Sequence, residues 1–405
     1  MADQVDQFAM TVKKEIIDFA MTVKSHGRWR GISTASEGRR SMRVLGLETS
    51  CDDTAAAVVT SDGSILAETN LHQHKVHEKH GGIVPLLAAD RHLQKIPLVV
   101  RETLEKAELR MEDIDAVAVT RGPGLPASLV VGLAAGKTLA AVHAKPLIGV
   151  HHMEAHALMA RMGAEQKVRF PYLCLLISGG HTLSLVVHDV NHHSVIGQTR
   201  DESVGVAFDR VAREMGLPWI DAQVGGGAGA ALEQIARDGN AARFPMPMPM
   251  NQSNTARDPG FSFSGIMSHV ARMREQRAFD PTCRQDQADL AAAFQQTATT
   301  HLQKKTALAL AHAANVLNTR VTCLVVSGGV ASNQAVRQCL SILARRNHLP
   351  LICPPPRLCT DNGVMIAWAG IERLRRGMLD PYDIDFIQRW PLDQLKPYAP
   401  RESSI

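Results

Sequence analysis

LCLLISGGHT (173–182) and CLVVSGGVAS (323–332) share one pattern: an apolar strand runs straight into Ser-Gly-Gly and then into small or polar residues. Such a turn leaves bare backbone N–H groups at the carboxyl end of a sheet. No Cβ blocks an approaching phosphate oxygen, and the amide dipoles converge on it. Gly-Gly turns are common, so one copy means little. Two copies in equivalent strand contexts, with LETSCDD (47–53) as a third polar strand-end turn, point to a two-lobed nucleotide cleft.

Working outward, Val44–Leu47, Ala55–Thr60 and Ile65–Ala67 read as strands, the last two separated by the turn signal Ser-Asp-Gly at 61–63. Residues 90–108 and 126–142 carry helical patterns, on either side of the strand Ala116–Thr120 and the loop Arg-Gly-Pro-Gly at 121–124. Leu147–Val150 is the next strand. After Tyr172 come two strands around the first Gly-Gly turn, then helical stretches at 201–216, 228–238 and 286–317. FPMPMPM (244–250) alternates proline and so reads as an extended connector. Val321–Val326 and Leu351–Cys353 are strands, 334–346 and 362–376 helices. Strands alternating with helices, with hairpins opening each half, predict an α/β protein with mixed sheets.

The chain has 405 residues, 45% hydrophobic and 21% charged, with a net charge of +4, which excludes a disordered or fibrous protein. Its length fits two or three domains. The apolar run 129–142 contains Lys137 and falls short of the roughly 18–20 residues of a bilayer span, so no membrane role is expected. The net charge is too small to indicate nucleic-acid binding by itself. The seven cysteines include no CxxC pair and read as thiols, not as a disulfide framework.

The first forty residues differ from the rest. FAMTVK occurs at 8–13 and again at 19–24, about three helical turns apart. From Lys24 to Arg43 six basic residues meet a single acid, Glu37, among Ser and Thr. That composition is expected of an organellar transit segment over 1–43, ahead of lobes at 44–160 and 161–378 (with a helical insert at about 200–315) and a tail at 379–405.

Two nucleotide motifs fail on inspection. Gly136-Lys137-Thr138 lacks the Walker glycine, since residue 131 is Val, and it lies mid-helix. The glycine run 225–229 follows no strand, which argues against a dinucleotide fold.

His152 and His156 lie four residues apart, so on a helix both imidazoles can reach one ion. A zincin would carry Glu directly after the first His. Here that residue is Met153, and Glu154 points off the His face, so a metalloprotease lacks its general base. Two ordinary helix histidines are the bland alternative. A third ligand is required, and Asp361, after an apolar strand and at the start of the last helix, is the best candidate. An N-cap role is its alternative. His72, His74, His77, His80 and His92 are irregularly spaced and read as a loop and helix approach.

GLETSCDDTAAAVV (46–59), HGGIVPLLAADRH (80–92), HHMEAHAL (151–158), LLISGGHT (175–182), FSFSG (261–265), SGGVASN (327–333) and CPPPRLCTDNG (353–363), taken together and in this order, resemble the tRNA N6-adenosine threonylcarbamoyltransferases, and most of all their eukaryotic mitochondrial branch. The likeness spans about 44–378. It implies an actin-like (ASKHA) two-lobed fold with a nucleotide cleft between the lobes. It also implies transfer of an L-threonylcarbamoyl group from threonylcarbamoyl-AMP to N6 of the adenosine just 3′ of the anticodon, in the mitochondrial matrix. By the same resemblance His152, His156 and Asp361 hold one divalent metal, Zn or Fe; Ser178, Gly179, Gly180, His181 and Thr182 bind the acyl-adenylate; Asp209 and Gly229 lie at its ribose; and Ser327, Gly328, Gly329 and Asn333 contact the adenylate. Arg210 and the sequence Ala228-Gly229-Ala230 depart from the family pattern on the ribose side.

The expected partners are tRNA, a separate synthase that supplies the donor, and a second copy of the chain in a homodimer. Arginines 210, 213, 237, 243, 257, 272, 274 and 277 are candidates for tRNA phosphates or for a solvated helix face. No Ser-His-Asp triad stands out, so direct attack is expected, with Glu48, Asp52 and His181 as candidate proton acceptors. Two rival readings share the Gly-Gly turns: a small-molecule kinase of the same fold, and a non-catalytic nucleotide-binding scaffold of a complex.

Overall fold

The structure is a computed structural model that describes residues 41–396, apart from 78, 79, 81, 219 and 221–226. The expected transit segment therefore lies outside the described residues, except for its last three positions.

Two five-stranded sheets organise the chain. In the first, β1 (Arg43–Glu48), β2 (Asp53–Thr60) and β3 (Ile65–His72) form an antiparallel meander. β4 (Ala116–Gly122) and β5 (Leu147–His151) then add in parallel beside β1, giving the order β3-β2-β1-β4-β5. The second sheet repeats this plan. β6 (Tyr172–Ile177), β7 (Thr182–Asp189) and β8 (His192–Gln198) are the meander, and β9 (Leu324–Ser327) and β10 (Leu351–Ile352) run parallel to β6, in the order β10-β9-β6-β7-β8. The internal repeat read from the two Ser-Gly-Gly strands is thus a repeat of whole sheets, and the two copies sit at the ends of neighbouring parallel-paired strands.

Parallel pairs need crossover connections, and these are helical. α1 (Pro85–Lys106) and α2 (Pro126–Val142) cover the first sheet. β5 leads directly into α3 (His152–Leu158). The second lobe carries α4 (Val204–Glu214), α5 (Ala228–Ala236), α6 (Ser264–Glu275), α7 (Arg284–Asn315) and α8 (Gln334–Arg346). The last helix is α9 (Gly363–Leu374). α1 starts five residues before the expected 90, because Pro85 fits the first turn of a helix. β8 and α6 are elements beyond those expected; β8 has no clear alternation, whereas α6 carries the helical apolar spacing Ile266, Val270, Met273.

One placement corrects the linear division into lobes. The residues of α9 fall in the part assigned to the second lobe, but Val364, Ile366, Trp368 and Ile371 pack with Val44, Ala57, Val59, Ala118 and Ile148 of the first sheet. The apolar run of α9 needs a sheet face to cover, and the open face of the first sheet is the one it meets. α3 lies between the lobes. Its Ala155 and Leu158 join the first sheet's core, while Met153 and Ala157 join Tyr172, Cys174 and Leu176 of the second. Every residue of α3 is buried, as expected of a helix with cover on all sides. All seven cysteines are free.

Candidate metal centre and nucleotide turns

α3 is one element after β5, and its first turn is capped by His151, whose Nδ1 accepts from Met153 N at 3.1 Å and Glu154 N at 3.4 Å. His152 and His156 project from one face of this helix. Their rings stand edge to face with centroids 4.8 Å apart. Both Nε2 atoms face Asp361 Oδ1, at 3.5 Å from His152 and 3.0 Å from His156. The three ligand atoms lie within 4.8 Å of one another, so one ion can meet all three. The structure thus brings together the two histidines and an aspartate about two hundred positions later. The capping role considered for Asp361 belongs to Asn362, whose Oδ1 accepts from Met365 N at 2.8 Å. That leaves the Asp361 carboxylate to the imidazoles.

The surroundings fit a cation. His152 Nδ1 lies 3.1 Å from Glu48 Oε2 and 3.1 Å from Ser50 Oγ. Glu48 and Asp361 flank the ring at its Nδ1 and its Nε2, so positive charge is favoured here, carried by a protonated His152 or by a cation that takes the place of its Nε2 proton. Burial opposes charge on His152, but Asp361 and Glu48 overcome it and raise its pKa to about 9. A buried carboxylate behind a ligating imidazole is the usual arrangement that orients the ring on a metal. His156 Nδ1 is buried with no hydrogen-bond partner among the described residues. Glu154 points the other way, as its position on the helix requires. Its carboxylate accepts from Asn191 N at 2.5 Å and Arg373 Nη1 at 3.1 Å, tying α3 to the β7–β8 turn and to α9.

The two Ser-Gly-Gly turns include one that lies next to this helix. Ser327 Oγ donates to the carbonyl oxygen of His156 at 2.8 Å. Gly328 has φ +95°, and a Cβ there would lie 2.5 Å from Ile177 O, so the second turn is closed to any side chain. At Gly179 and Gly180 a Cβ would meet nothing within 4 Å, so these residues leave an open cradle above β6. Ser178 and His181 close that turn, His181 N donating to Ser178 Oγ at 3.1 Å and Ser178 N to His181 O at 2.8 Å. Burial and the neighbouring His152 and His156 lower the His181 pKa to about 4. Thr182 Oγ1 accepts from Val204 N at 2.9 Å, which aims the start of α4 at the same turn. Gly329 borders the turn, 3.8 Å from Thr360 Cγ2 by its missing Cβ.

Asp209 Oδ1 accepts from Gly229 N at 2.8 Å, so these two residues, twenty positions apart, form one local site. Asn333 caps α8 by accepting from Val336 N at 3.1 Å, and its amide donates to Gln295 Oε1 at 3.1 Å. Glu48, one of the three candidate proton acceptors, accepts from Thr120 Oγ1 at 2.6 Å as well as facing His152. Of the basic residues singled out, Arg237, Arg243 and Arg274 pair with Glu233, Asp286 with Asp289, and Glu214. Sequence reasoning did not find Ser50, Thr120 or the Ser327 link. Their partners are 72 to 171 positions away, and no spacing rule reaches that far.

The family model for tRNA N6-adenosine threonylcarbamoyltransferase (TsaD) matches residues 64–368. The chain belongs to this family. A relative from Arabidopsis thaliana, named as a probable mitochondrial tRNA N6-adenosine threonylcarbamoyltransferase, is 40% identical over 369 residues, covering 87% of this chain and 75% of that one. The Granulibacter bethesdensis tRNA N6-adenosine threonylcarbamoyltransferase is 42% identical over 366 residues, covering 89% and 96%. The solved structure of full-length HypF in its phosphate- and nucleotide-bound form superposes with a TM-score of 0.52 at 13% identity, covering 82% of this chain and 46% of that one, and so shares the fold alone. The TsaD-family chain is actin-like, with two mixed sheets and flanking helices.

Proposed function

We infer that the protein transfers the L-threonylcarbamoyl group of threonylcarbamoyl-AMP to N6 of adenosine 37 in tRNAs that read codons beginning with adenine, forming t6A in the mitochondrial matrix. The observation that carries this reading is the convergence of His152 and His156 on Asp361, on a helix hydrogen-bonded to the second Ser-Gly-Gly turn through Ser327.

In this acyl transfer a C–N bond forms at N6, one N6–H bond and the bond between the carbamoyl carbon and the phosphate oxygen break, AMP leaves, and the N6 proton passes to a base, for which Glu48, Asp52 and His181 are the candidates. An exocyclic adenine amine is a poor nucleophile, so the site must activate the carbonyl and hold both partners in register. His152, His156 and Asp361 are the residues that would hold one divalent ion, and Zn or Fe suits two imidazoles and a carboxylate. When bound, such an ion supplies electrophilic stabilisation of charge on the carbonyl or the departing phosphate. Glu48 and Ser50 orient the His152 ring. The open amides of Gly179 and Gly180, with those of Gly328 and Gly329, are suited to the phosphate. Asp209 and Gly229 receive the ribose, and Asn333 and the 178–182 turn flank the adenylate. The exposed Arg210, Arg257, Arg272 and Arg277, which form no ion pair among the described residues, are the candidates for tRNA phosphates.

A separate synthase supplies the donor, since no adenylate-forming motif was found in the sequence. No helix among the described residues is long and apolar enough to cross a membrane. Leu86 and Leu93 on α1 and Val130 on α2 are exposed apolar side chains, which supports a homodimer through this face. The name of the Arabidopsis relative and the basic, Ser-rich 24–43 stretch support mitochondrial import.

Nucleoside mass spectrometry of mitochondrial tRNA, with and without this protein, tests the reading. Loss of t6A on depletion is expected. Unchanged t6A, or phosphorylation of a small molecule by the purified protein in place of tRNA modification, would end it. Light scattering of the Leu86→Asp, Leu93→Asp double variant should report half the wild-type mass.

A further inference from the structure

The stretch 380–396 lies beyond the residues that the family model matches, 64–368. It has almost no regular structure, yet it is fastened along its whole length. Asp380 Oδ2 accepts from Gly149 N at 2.8 Å. Lys137 Nζ donates to Ile384 O at 2.9 Å, and Arg121 Nε to Asp385 O at 2.8 Å. Ile384 is buried in the first lobe's core, and Leu392 and Leu395 in the second's. The segment is therefore a strap across both lobes.

Two contacts carry the strap to the metal centre. The first is His151. Its Nδ1 accepts from two backbone N–H groups of α3, so its proton is on Nε2, and Nε2 donates to the carbonyl of Trp390 at 2.8 Å. The Trp390 ring also packs on the imidazole, with centroids 4.8 Å apart. The second is the 121–124 loop. Ile387 N donates to Arg121 O at 2.9 Å and Gly124 N to Gln388 O at 3.3 Å. A Cβ on Gly122 (φ +154°) would lie 1.9 Å from Ile387 O, and one on Gly124 would lie 2.6 Å from Ser50 O. The loop is thus wedged between the strap and Ser50, whose hydroxyl meets His152 Nδ1.

We propose that the strap is a positioning element for the metal triad and that His151 is the positioning residue through which it acts. A helix as short as α3 has little stability of its own, so its orientation is set by its cap and its packing. The His151 cap works only while Nδ1 remains an acceptor, and the Trp390 carbonyl holds the proton on the other nitrogen. A loosened strap therefore loosens the first turn of α3, which carries His152, and frees Ser50 to move.

This inference rests on the divalent-metal reading, and the experiment separates the two. Full-length wild type, Trp390→Ala, Gly122→Ala and Lys137→Met are compared for Zn²⁺ affinity by chelator competition, for amide hydrogen exchange, and for fold by circular dichroism. Lys137→Met removes one contact to the strap and touches no residue of the centre, so it serves if the other two fail to fold. In the folded variants, exchange across 384–395 should rise, and Zn²⁺ affinity should fall about 10–100-fold, as when an outer partner of a metal ligand is lost. Faster exchange with affinity within about twofold of wild type would overturn the proposal. So would unchanged exchange of the strap in every folded variant. Wild type that binds neither Zn²⁺ nor Fe²⁺ would instead refute the metal reading, before any variant is made.

Discussion

The hydroxyl of Ser327 donates to the carbonyl oxygen of His156 at 2.8 Å, joining the Gly-Gly turn of the second sheet to the helix that bears both imidazoles. A residue of the second Ser-Gly-Gly turn is thereby in direct contact with a residue of the candidate metal triad. The bond is buried, and its loss leaves a polar group without compensation.

Ser327→Ala should therefore cost about 1–3 kcal/mol of stability. Its larger effect should be on the centre: weaker metal binding and a higher KM for the acyl-adenylate. Urea unfolding and initial-rate kinetics measure the two. A stability loss with both centre properties unchanged would show that the link is only structural.

Removing a ligand tests the triad itself. His156→Ala should abolish t6A formation and metal retention, while circular dichroism stays that of wild type. Dialysis of wild type against a chelator should give the same loss, restored by Zn²⁺ or Fe²⁺. Undiminished turnover in metal-stripped His156→Ala would remove the ion from the mechanism.

Gly229 tests the ribose side. A Cβ at this position would lie 3.2 Å from Asp209 Oδ1 and 3.2 Å from Phe208 Cβ, closer than ordinary contact. The Asp209 carboxylate must give way, since Phe208 is fixed in the core. Gly229→Ala should raise KM for the acyl-adenylate several-fold with little change in metal content. An unaltered KM would place the ribose elsewhere.

Acid stability should depend on His301. This histidine of α7 is buried with its ring edge-on to Phe261 and Phe263, and its Nε2 accepts from Ser262 N at 3.3 Å. Burial, reinforced by the charge of Lys305, lowers its pKa from 6.5 to about 4. Between pH 6.5 and 4 the unfolded chain binds a proton that the folded chain refuses, so stability falls as the pH falls through that window and is intact above it. Urea midpoints at pH 7.5 and 5 should differ more for wild type than for His301→Gln. Equal differences would assign the acid sensitivity to other groups.

The sequence was most legible where chemistry and local geometry coincide. Ser-Gly-Gly after an apolar strand, a histidine pair four residues apart, and helices with clean apolar patterns are all set by contacts within a few residues. α2 runs over the expected 126–142, and α8 over the expected 334–346. β8 was not legible, because its sequence does not alternate and its pairing with β7 decides it; the apolar spacing of α6, Ile266, Val270 and Met273, was legible but lies between turn residues that masked it.

By itself the chain determined an α/β fold with a repeated turn, a two-histidine face on a helix, and a carboxylate at the start of the last helix. Only the tertiary structure decided that α9 covers the first sheet, that Asn362 and not Asp361 caps it, that Glu48 and Ser50 stand behind His152, and that 380–396 crosses both lobes to meet His151. The reason is physical: periodicity and capping act over one or two turns, whereas the contacts of His152 with Ser50 and Glu48 and of His151 with Trp390 join residues from 102 to 239 positions apart, and a linear pattern carries no record of which distant partner the packed core will supply.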